Sequence, residues 1–178
     1  MTKTYGAPPI DRGYVALEPT EMMFWLYCPI KLPRGEVIMP PNLRQFSPIV
    51  ERVKDHSLLI WHERYVYLTA KTLWVTPDNP GNRPGWHSDG FMTDDLNFVW
   101  SDRDGTLFWE PPFRTTFTQD HEQSMREMAE IAEPGPHRVY PDKHLLQLDE
   151  TVIHRVPDIA TPGVRSFVKV SISRHPYR

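Results

Sequence analysis

A histidine and an aspartate two residues apart, His87 and Asp89, have the types and spacing of two ligands to one metal ion. If the segment is extended, both side chains project from the same face, because side chains alternate along a strand. Asp89 precedes Gly90, which permits a sharp bend just after the pair. Such a pair also arises by chance in a chain with eight histidines, so the spacing alone is a weak signal.

A third ligand must come from another segment of the chain. His154 is the best placed, because it ends a strand-like stretch and precedes a proline-containing loop. Two imidazoles and one carboxylate on one face of an octahedron leave three positions open, which is the ligand set typical of non-haem iron(II) oxygenases. His87, Asp89 and His154 are therefore predicted to bind Fe(II) and to form the catalytic centre.

The sequence around these residues resembles the 2-oxoglutarate- and iron(II)-dependent dioxygenases. The resemblance rests on WHSDGF at 86–91, on His154 67 residues after His87, and on Arg165 eleven residues further on. It implies O₂ as a co-substrate, ascorbate as an optional reductant, and conversion of 2-oxoglutarate to succinate and CO₂. Because halogenating relatives lack the carboxylate, Asp89 favours hydroxylation of an unactivated C–H bond, or a related oxidation.

The resemblance also implies a cation on the strand after the distal histidine, where family members bind the far carboxylate of 2-oxoglutarate. Here that strand carries Arg165 and, four residues on, Lys169, which are alternative anchors. Arginine offers a planar, two-pronged donor to a carboxylate. Ser171 could add a hydroxyl, and Asn97 could reach the chelating end of the co-substrate. Many family members have a serine two residues after the arginine, but this chain has Phe167.

Strand signals dominate the part of the chain that must position these residues. The predicted strands are rich in β-branched and aromatic residues or alternate in polarity; they cover residues 65–75, 96–101, 145–155 and 164–173. In the last one, Val168, Val170 and Ile172 share one face, and Phe167 shares the other with polar residues, as in a sheet that lines a wet pocket. The prediction is a mostly β fold, a cupin-like jelly roll (double-stranded β-helix) with one to three flanking helices.

The clearest helix covers residues 118–133, with Thr118 as its cap and Pro134-Gly135 as its stop. Residues 21–28 are an apolar run that fits either a helix or a buried strand. Residues 42–60 can hold a short helix. Nineteen prolines scattered over 178 residues argue against a helical bundle.

The length predicts one domain over residues 1–178, with 1–60 as an irregular or helical N-terminal support and 61–178 as the jelly-roll catalytic core. The net charge of −3 argues against nucleic acid as a partner, so a small molecule or an amino-acid side chain is the expected substrate. No apolar run approaches the ~18 residues that a membrane span requires. A single cysteine, Cys28, and the lack of a signal-peptide pattern predict a cytoplasmic protein.

Other candidate residues are interpreted as structural. Asp94 and Asp95 follow the metal pair, and paired carboxylates can do acid–base chemistry, but a turn or a supporting role is the preferred interpretation. The same holds for the other histidines, which lack a carboxylate at comparable spacing: His56, His62, His121, His137, His144 and His175. Two other functions stay open, a non-catalytic cupin-like module that binds a metal or small ligand, and an isomerase or hydrolase that uses zinc or manganese as a Lewis acid.

Overall fold

The structure, a computed structural model, describes residues 3–177. Regular structure in this range comprises nine strands, three α-helices and a 3₁₀ turn at Pro41–Phe46. The strands are β1 (Ile10–Tyr14), β2 (Met23–Lys31), β3 (Tyr65–Val75), β4 (Leu96–Ser101), β5 (Leu107–Trp109), β6 (His137–Val139), β7 (His144–Leu148), β8 (His154–Arg155) and β9 (Gly163–Ser173). The helices are α1 (Ser47–His56), α2 (Leu58–Trp61) and α3 (His121–Ala132).

The strands form two antiparallel sheets. The large sheet has the order β1-β7-β4-β9-β3-β2, and the small sheet has the order β6-β5-β8, extended by a bridge between His87 and His154. From β3 onward the chain winds between the sheets, with β3, β4, β7 and β9 in the large one and the His87 segment, β5, β6 and β8 in the small one. This winding is that of a jelly-roll-like double-stranded β-helix, so the predicted fold is confirmed.

The two faces of the large sheet differ in character. Phe98 of β4 lies opposite Val170 of β9, and both are fully buried in the main apolar core. Ile49 and Val53 of α1 join that core, as the apolar stripe of this helix predicts. The neighbouring pair in the register is Val99 and Lys169, and Lys169 faces the small sheet. The core thus fills one side of β9, and the other side is left for a site.

The N-terminal region contributes more than the predicted irregular or helical support. Residues 23–28 of the apolar run lie in strand β2, which pairs with β3 and extends to Lys31, so the run is a strand and not a helix. Strand β1 pairs with β7 at the other end of the sheet. Both strands cover edges that would otherwise expose unpaired backbone groups.

Two predicted elements have different boundaries in the structure. Helix α3 begins at His121, and Asp120 caps it by accepting a hydrogen bond from the Gln123 backbone N–H. The Thr118 hydroxyl instead donates to Glu127, so Thr118 was the wrong cap. The stretch 145–155 divides into β7 and β8, because Asp149 accepts a hydrogen bond from the Thr151 backbone N–H and forms a turn.

Helix α3, at 12 residues, is the longest helix in the described range. Within residues 3–177, none of the helices has both the length and the apolar character needed to cross a membrane.

Candidate metal centre

His87 and His154 lie directly opposite each other at the edge of the small sheet. Each backbone N–H donates to the carbonyl of the other at 2.9 Å, so the two residues form a closed antiparallel pair. Their ring centroids are 4.5 Å apart. Two residues that are 67 positions apart in sequence are thereby held at a fixed separation by main-chain hydrogen bonds.

Strand-like alternation brings Asp89 to the same side as His87. Trp86 and Ser88 point the other way and are buried; the Trp86 indole donates to Glu133 at 2.6 Å, and the Ser88 hydroxyl donates to the Glu150 carbonyl. Gly90 follows with a φ of +76°, and a Cβ there would lie 3.1 Å from the Asp95 Cβ. The bend predicted after the metal pair is therefore present, and glycine suits it.

The three predicted ligands converge. One ligand atom from each of His87, Asp89 and His154 lies within 4.8 Å of the other two. No other group of three His, Cys, Asp or Glu side chains within residues 3–177 does so. Asp89 Oδ2 is 3.6 Å from His154 Nε2, and Asp89 Oδ1 is 3.9 Å from His87 Nε2. Such spacing suits a shared ion between the three side chains.

Backbone carbonyls orient both imidazole rings. His87 Nδ1 lies 2.9 Å from the Gly85 carbonyl, and His154 Nδ1 lies 3.4 Å from the Val152 carbonyl. A proton on each Nδ1 satisfies these carbonyls and leaves the Nε2 lone pairs free to coordinate a metal.

Lys169 on β9 completes the charge balance of the site. Its Nζ lies 3.1 Å from Asp89 Oδ2 and 3.4 Å from the Tyr27 hydroxyl, and the residue is 9% exposed. Within residues 3–177, Asp89 Oδ1 has no hydrogen-bond partner, so one carboxylate oxygen is held and the other is available.

The electrostatics hold Asp89 and His87 in their coordinating forms. Burial by itself would raise the pKa of Asp89, but the Lys169 ammonium and the two imidazoles hold it well below its usual value. Burial, with help from His154, lowers the pKa of His87 to about 4. Burial would also lower the pKa of Lys169, but Asp89 and Tyr27 raise it overall. At neutral pH the site therefore contains a carboxylate, a neutral His87 and an ammonium.

Tyr27 is a site residue that no sequence pattern singled out. It lies at a bulge in β2 with a φ of +47°, and its backbone N–H donates to the Thr69 hydroxyl at 3.0 Å. Positive φ is costly for a bulky residue and is found where the surrounding structure imposes it. Here the bulge turns the tyrosine ring toward Lys169, whose Nζ lies 5.1 Å from the ring centroid.

A cavity of about 190 Å³, called here the metal cavity, opens onto the three ligands. Lys71 of β3 lines it beside Phe167 of β9, which lies opposite in the register. The Lys71 ammonium donates to the Gly81 carbonyl at 3.1 Å and to Asn82 Oδ1 at 2.8 Å, and no carboxylate oxygen of residues 3–177 lies within 4.0 Å of it. A lone lysine within an apolar strand was the signal that could have identified it.

Arg165, predicted as an anchor, lies behind Phe167 and does not line the metal cavity. Its Nε donates to the carbonyls of Arg103 and Asp104 at 3.1 and 3.0 Å, and its guanidinium lies over the Phe167 ring at 5.5 Å. Its Nη2 is buried with no hydrogen-bond partner in the described residues. Burial lowers the pKa of Arg165 to about 10, so the side chain stays charged at neutral pH.

Asn97 and Ser171 lie opposite each other on β4 and β9, and the Ser171 hydroxyl donates to Asn97 Oδ1 at 2.6 Å. Both are almost fully buried. They line a different cavity, called here the second cavity, which has a volume of about 480 Å³ and also touches Asp89 and Lys169. The structure thus brings the predicted site residues other than Arg165 around one centre but into two adjoining spaces.

Comparisons with known proteins add little. No protein-family model matches the chain, and no curated protein matches it in sequence. Among solved structures, the chain is similar to the C-terminally truncated thymine-7-hydroxylase of Neurospora crassa in its apo form, with a TM-score of 0.33 and 12% sequence identity. The match covers 76% of this chain and 45% of the Neurospora chain. The fold assignment therefore rests on the strand order, and the site assignment rests on the geometry described above.

Proposed function

We propose that this protein is an iron(II)- and 2-oxoglutarate-dependent oxygenase that hydroxylates an unactivated C–H bond of a small molecule or an amino-acid side chain. The observation that carries the proposal is the convergence of His87, Asp89 and His154 within 4.8 Å at the mouth of a cavity. Two imidazoles and one carboxylate are the donor set of this class.

The residues present fit an Fe(II) ion. His87 is neutral at physiological pH, both imidazoles are held through Nδ1, and Asp89 Oδ1 is free to coordinate. Lys169 would keep the second carboxylate oxygen engaged, which favours coordination through one oxygen and leaves positions open for other ligands. When bound, the metal would let O₂ oxidise the substrate and 2-oxoglutarate together, so that R–H, 2-oxoglutarate and O₂ become R–OH, succinate and CO₂.

Three cationic side chains in or near the metal cavity are candidate anchors for a dianionic co-substrate. The resemblance implies Arg165 as the anchor of the far carboxylate, although its side chain lies behind Phe167 and does not line the metal cavity. Its buried Nη2, which has no hydrogen-bond partner within residues 3–177, supports this role. Lys71 is the alternative, because it faces the cavity directly and has no carboxylate partner in the described range. Lys169 is the third, although its ammonium is already bound to Asp89.

The test of the proposed activity is uncoupled turnover. Purified protein with Fe(II), ascorbate, O₂ and 2-oxoglutarate should form succinate slowly without a prime substrate, and His87→Ala should abolish this. His62→Ala is the matched control, because this imidazole is about 70% exposed and lies outside the metal cavity. An iron-loaded wild type that neither binds 2-oxoglutarate nor forms succinate would contradict the proposal and would favour a metal-binding module.

The anchor can be assigned by titrating 2-oxoglutarate into the protein loaded with Mn(II) under anaerobic conditions. If Arg165 is the anchor, Arg165→Met should weaken binding at least about tenfold, as expected for loss of one charge-assisted pair, and Lys71→Met should change it little. The reverse order would assign the role to Lys71.

A further inference from the structure

The second cavity adjoins the metal centre but differs from the metal cavity in size and lining. Its volume of about 480 Å³ compares with about 190 Å³ for the metal cavity, and the two share Tyr27, Asp89 and Lys169. Because Asp89 lines both, a molecule in the second cavity lies next to a predicted metal ligand. The larger space is therefore available to a compound other than the co-substrate.

The two cavities also differ in charge. The metal cavity is lined by four cationic side chains and one carboxylate, namely Lys71, Arg83, Arg155, Lys169 and Asp89. The second cavity is lined by two carboxylates and one ammonium, those of Asp89, Asp95 and Lys169. Fe(II) and 2-oxoglutarate carry equal and opposite charges, so their binding would preserve this contrast. An anion is therefore attracted to the metal cavity and a cation to the second cavity.

Asp95 is the side chain that makes the second cavity selective for a cation. It is 6% exposed, and one carboxylate oxygen accepts a hydrogen bond from the Tyr177 hydroxyl at 2.8 Å. No Lys, Arg or His nitrogen of residues 3–177 lies within 4.0 Å of this carboxylate. A buried carboxylate without a cationic partner is costly, and a bound cation would relieve that cost. The neighbouring Asp94 differs, because Arg64 and Arg174 both pair with it at 2.9 Å.

The remaining walls suit an alkyl chain with a polar end. Tyr27 and Tyr177 pack edge to face at 5.4 Å, and Tyr177 stacks on Tyr67 at 4.2 Å, so the rings form a continuous aromatic wall. Asn97 and Ser171 form a polar patch on the strand side. Aliphatic carbons can pack against the rings while a charged end reaches Asp95.

We propose that the second cavity binds the prime substrate, and that this substrate is an alkyl compound with a protonated amine that pairs with Asp95. The assignment of the bound molecule as a substrate rests on the proposed function. Recognition of the ammonium does not, because it depends on Asp95 and the cavity alone.

The test uses three four-carbon probes that differ only in charge, n-butylammonium, 1-butanol and butyrate, with metal-free protein. Ligand-observed saturation-transfer NMR should show n-butylammonium bound at least about tenfold more tightly than the other two, as expected for a charge-assisted pair. Asp95→Asn should remove this preference, because the amide keeps an acceptor for Tyr177 but loses the charge. Asp94→Asn is the matched control and should bind the ammonium as the wild type does.

Equal binding of the three probes by the wild type would overturn the proposal without any variant. A preference for n-butylammonium that survives in Asp95→Asn, or one that vanishes in Asp94→Asn, would also overturn it. Failure of succinate formation with intact ammonium binding would refute the oxygenase and leave the cation site standing.

Discussion

The two faces of β9 show how one strand serves both the core and the site. Val168, Val170 and Ile172 point into the apolar core against α1, whereas Phe167 and Lys169 point toward the metal cavity. Both sets are largely buried, but they are stabilised by different forces. The apolar face gains from removal of surface from water, which requires no particular partner. Burial of the polar face is favourable only where each charge pairs with an opposite charge.

Packing of the apolar core is therefore separable from site chemistry in this fold. A side chain on the apolar face can be shortened at a cost in packing while the metal ligands keep their positions. A charged side chain on the polar face cannot be replaced by a neutral one without altering the charge of the site. Three variants or conditions test this separation.

Phe98→Ala should have the largest effect on stability. Phe98 is fully buried opposite Val170, and truncation of a core phenylalanine costs about 3–5 kcal/mol of unfolding free energy. Urea unfolding measures the loss. Mn(II) affinity of the folded variant, followed by electron paramagnetic resonance, should be unchanged, because the ring points away from Asp89. A parallel fall in metal affinity would show that the two faces are coupled.

Lys169→Met should destabilise the metal-free protein by about 3 kcal/mol, because it leaves the Asp89 carboxylate without its ammonium partner. The same variant should raise the pKa of Asp89. Saturating Zn(II) should recover much of the loss by supplying a cation at the same carboxylate, and thermal unfolding with and without Zn(II) measures this. Lys71→Met is the control; its ammonium has only neutral partners within residues 3–177, so its loss should be smaller.

Acidification of the metal-free protein should have the smallest effect. The unfolded chain binds a proton at His87 near pH 6.5, whereas the folded chain binds it only near pH 4. The contribution of neutral His87 to the unfolding free energy is therefore present above pH 6.5 and is lost as the pH falls toward 4. Between about pH 7 and pH 5 this amounts to about 2 kcal/mol of unfolding free energy. Urea unfolding at both pH values measures it. His87→Gln should remove this part of the pH dependence, and His62→Gln should retain it. If the unfolding free energy changed equally with pH in the wild type and both variants, the assignment of this effect to His87 would be contradicted.

Long elements were predictable because their own residues determine them. Strands β3 and β4 have the predicted boundaries, and β9 differs by one residue. The short strands β5 and β6 were not predicted, because three residues carry no readable periodicity and depend on their partners in the small sheet. The cap of α3 was misplaced because Thr118 and Asp120 are both good capping residues, and the chain geometry selects Asp120.

Features that depend only on neighbours in sequence could be read from the chain. They are the alternation of β9, the local spacing of His87 and Asp89, and the residue types that suit a metal. The sequence alone does not show which distant side chains meet. The folded structure pairs His87 with His154, turns Tyr27 inward at a bulge, and aims Lys71 rather than Arg165 at the metal cavity. Those outcomes depend on register between strands that are far apart in sequence, and register is set by packing of the whole sheet.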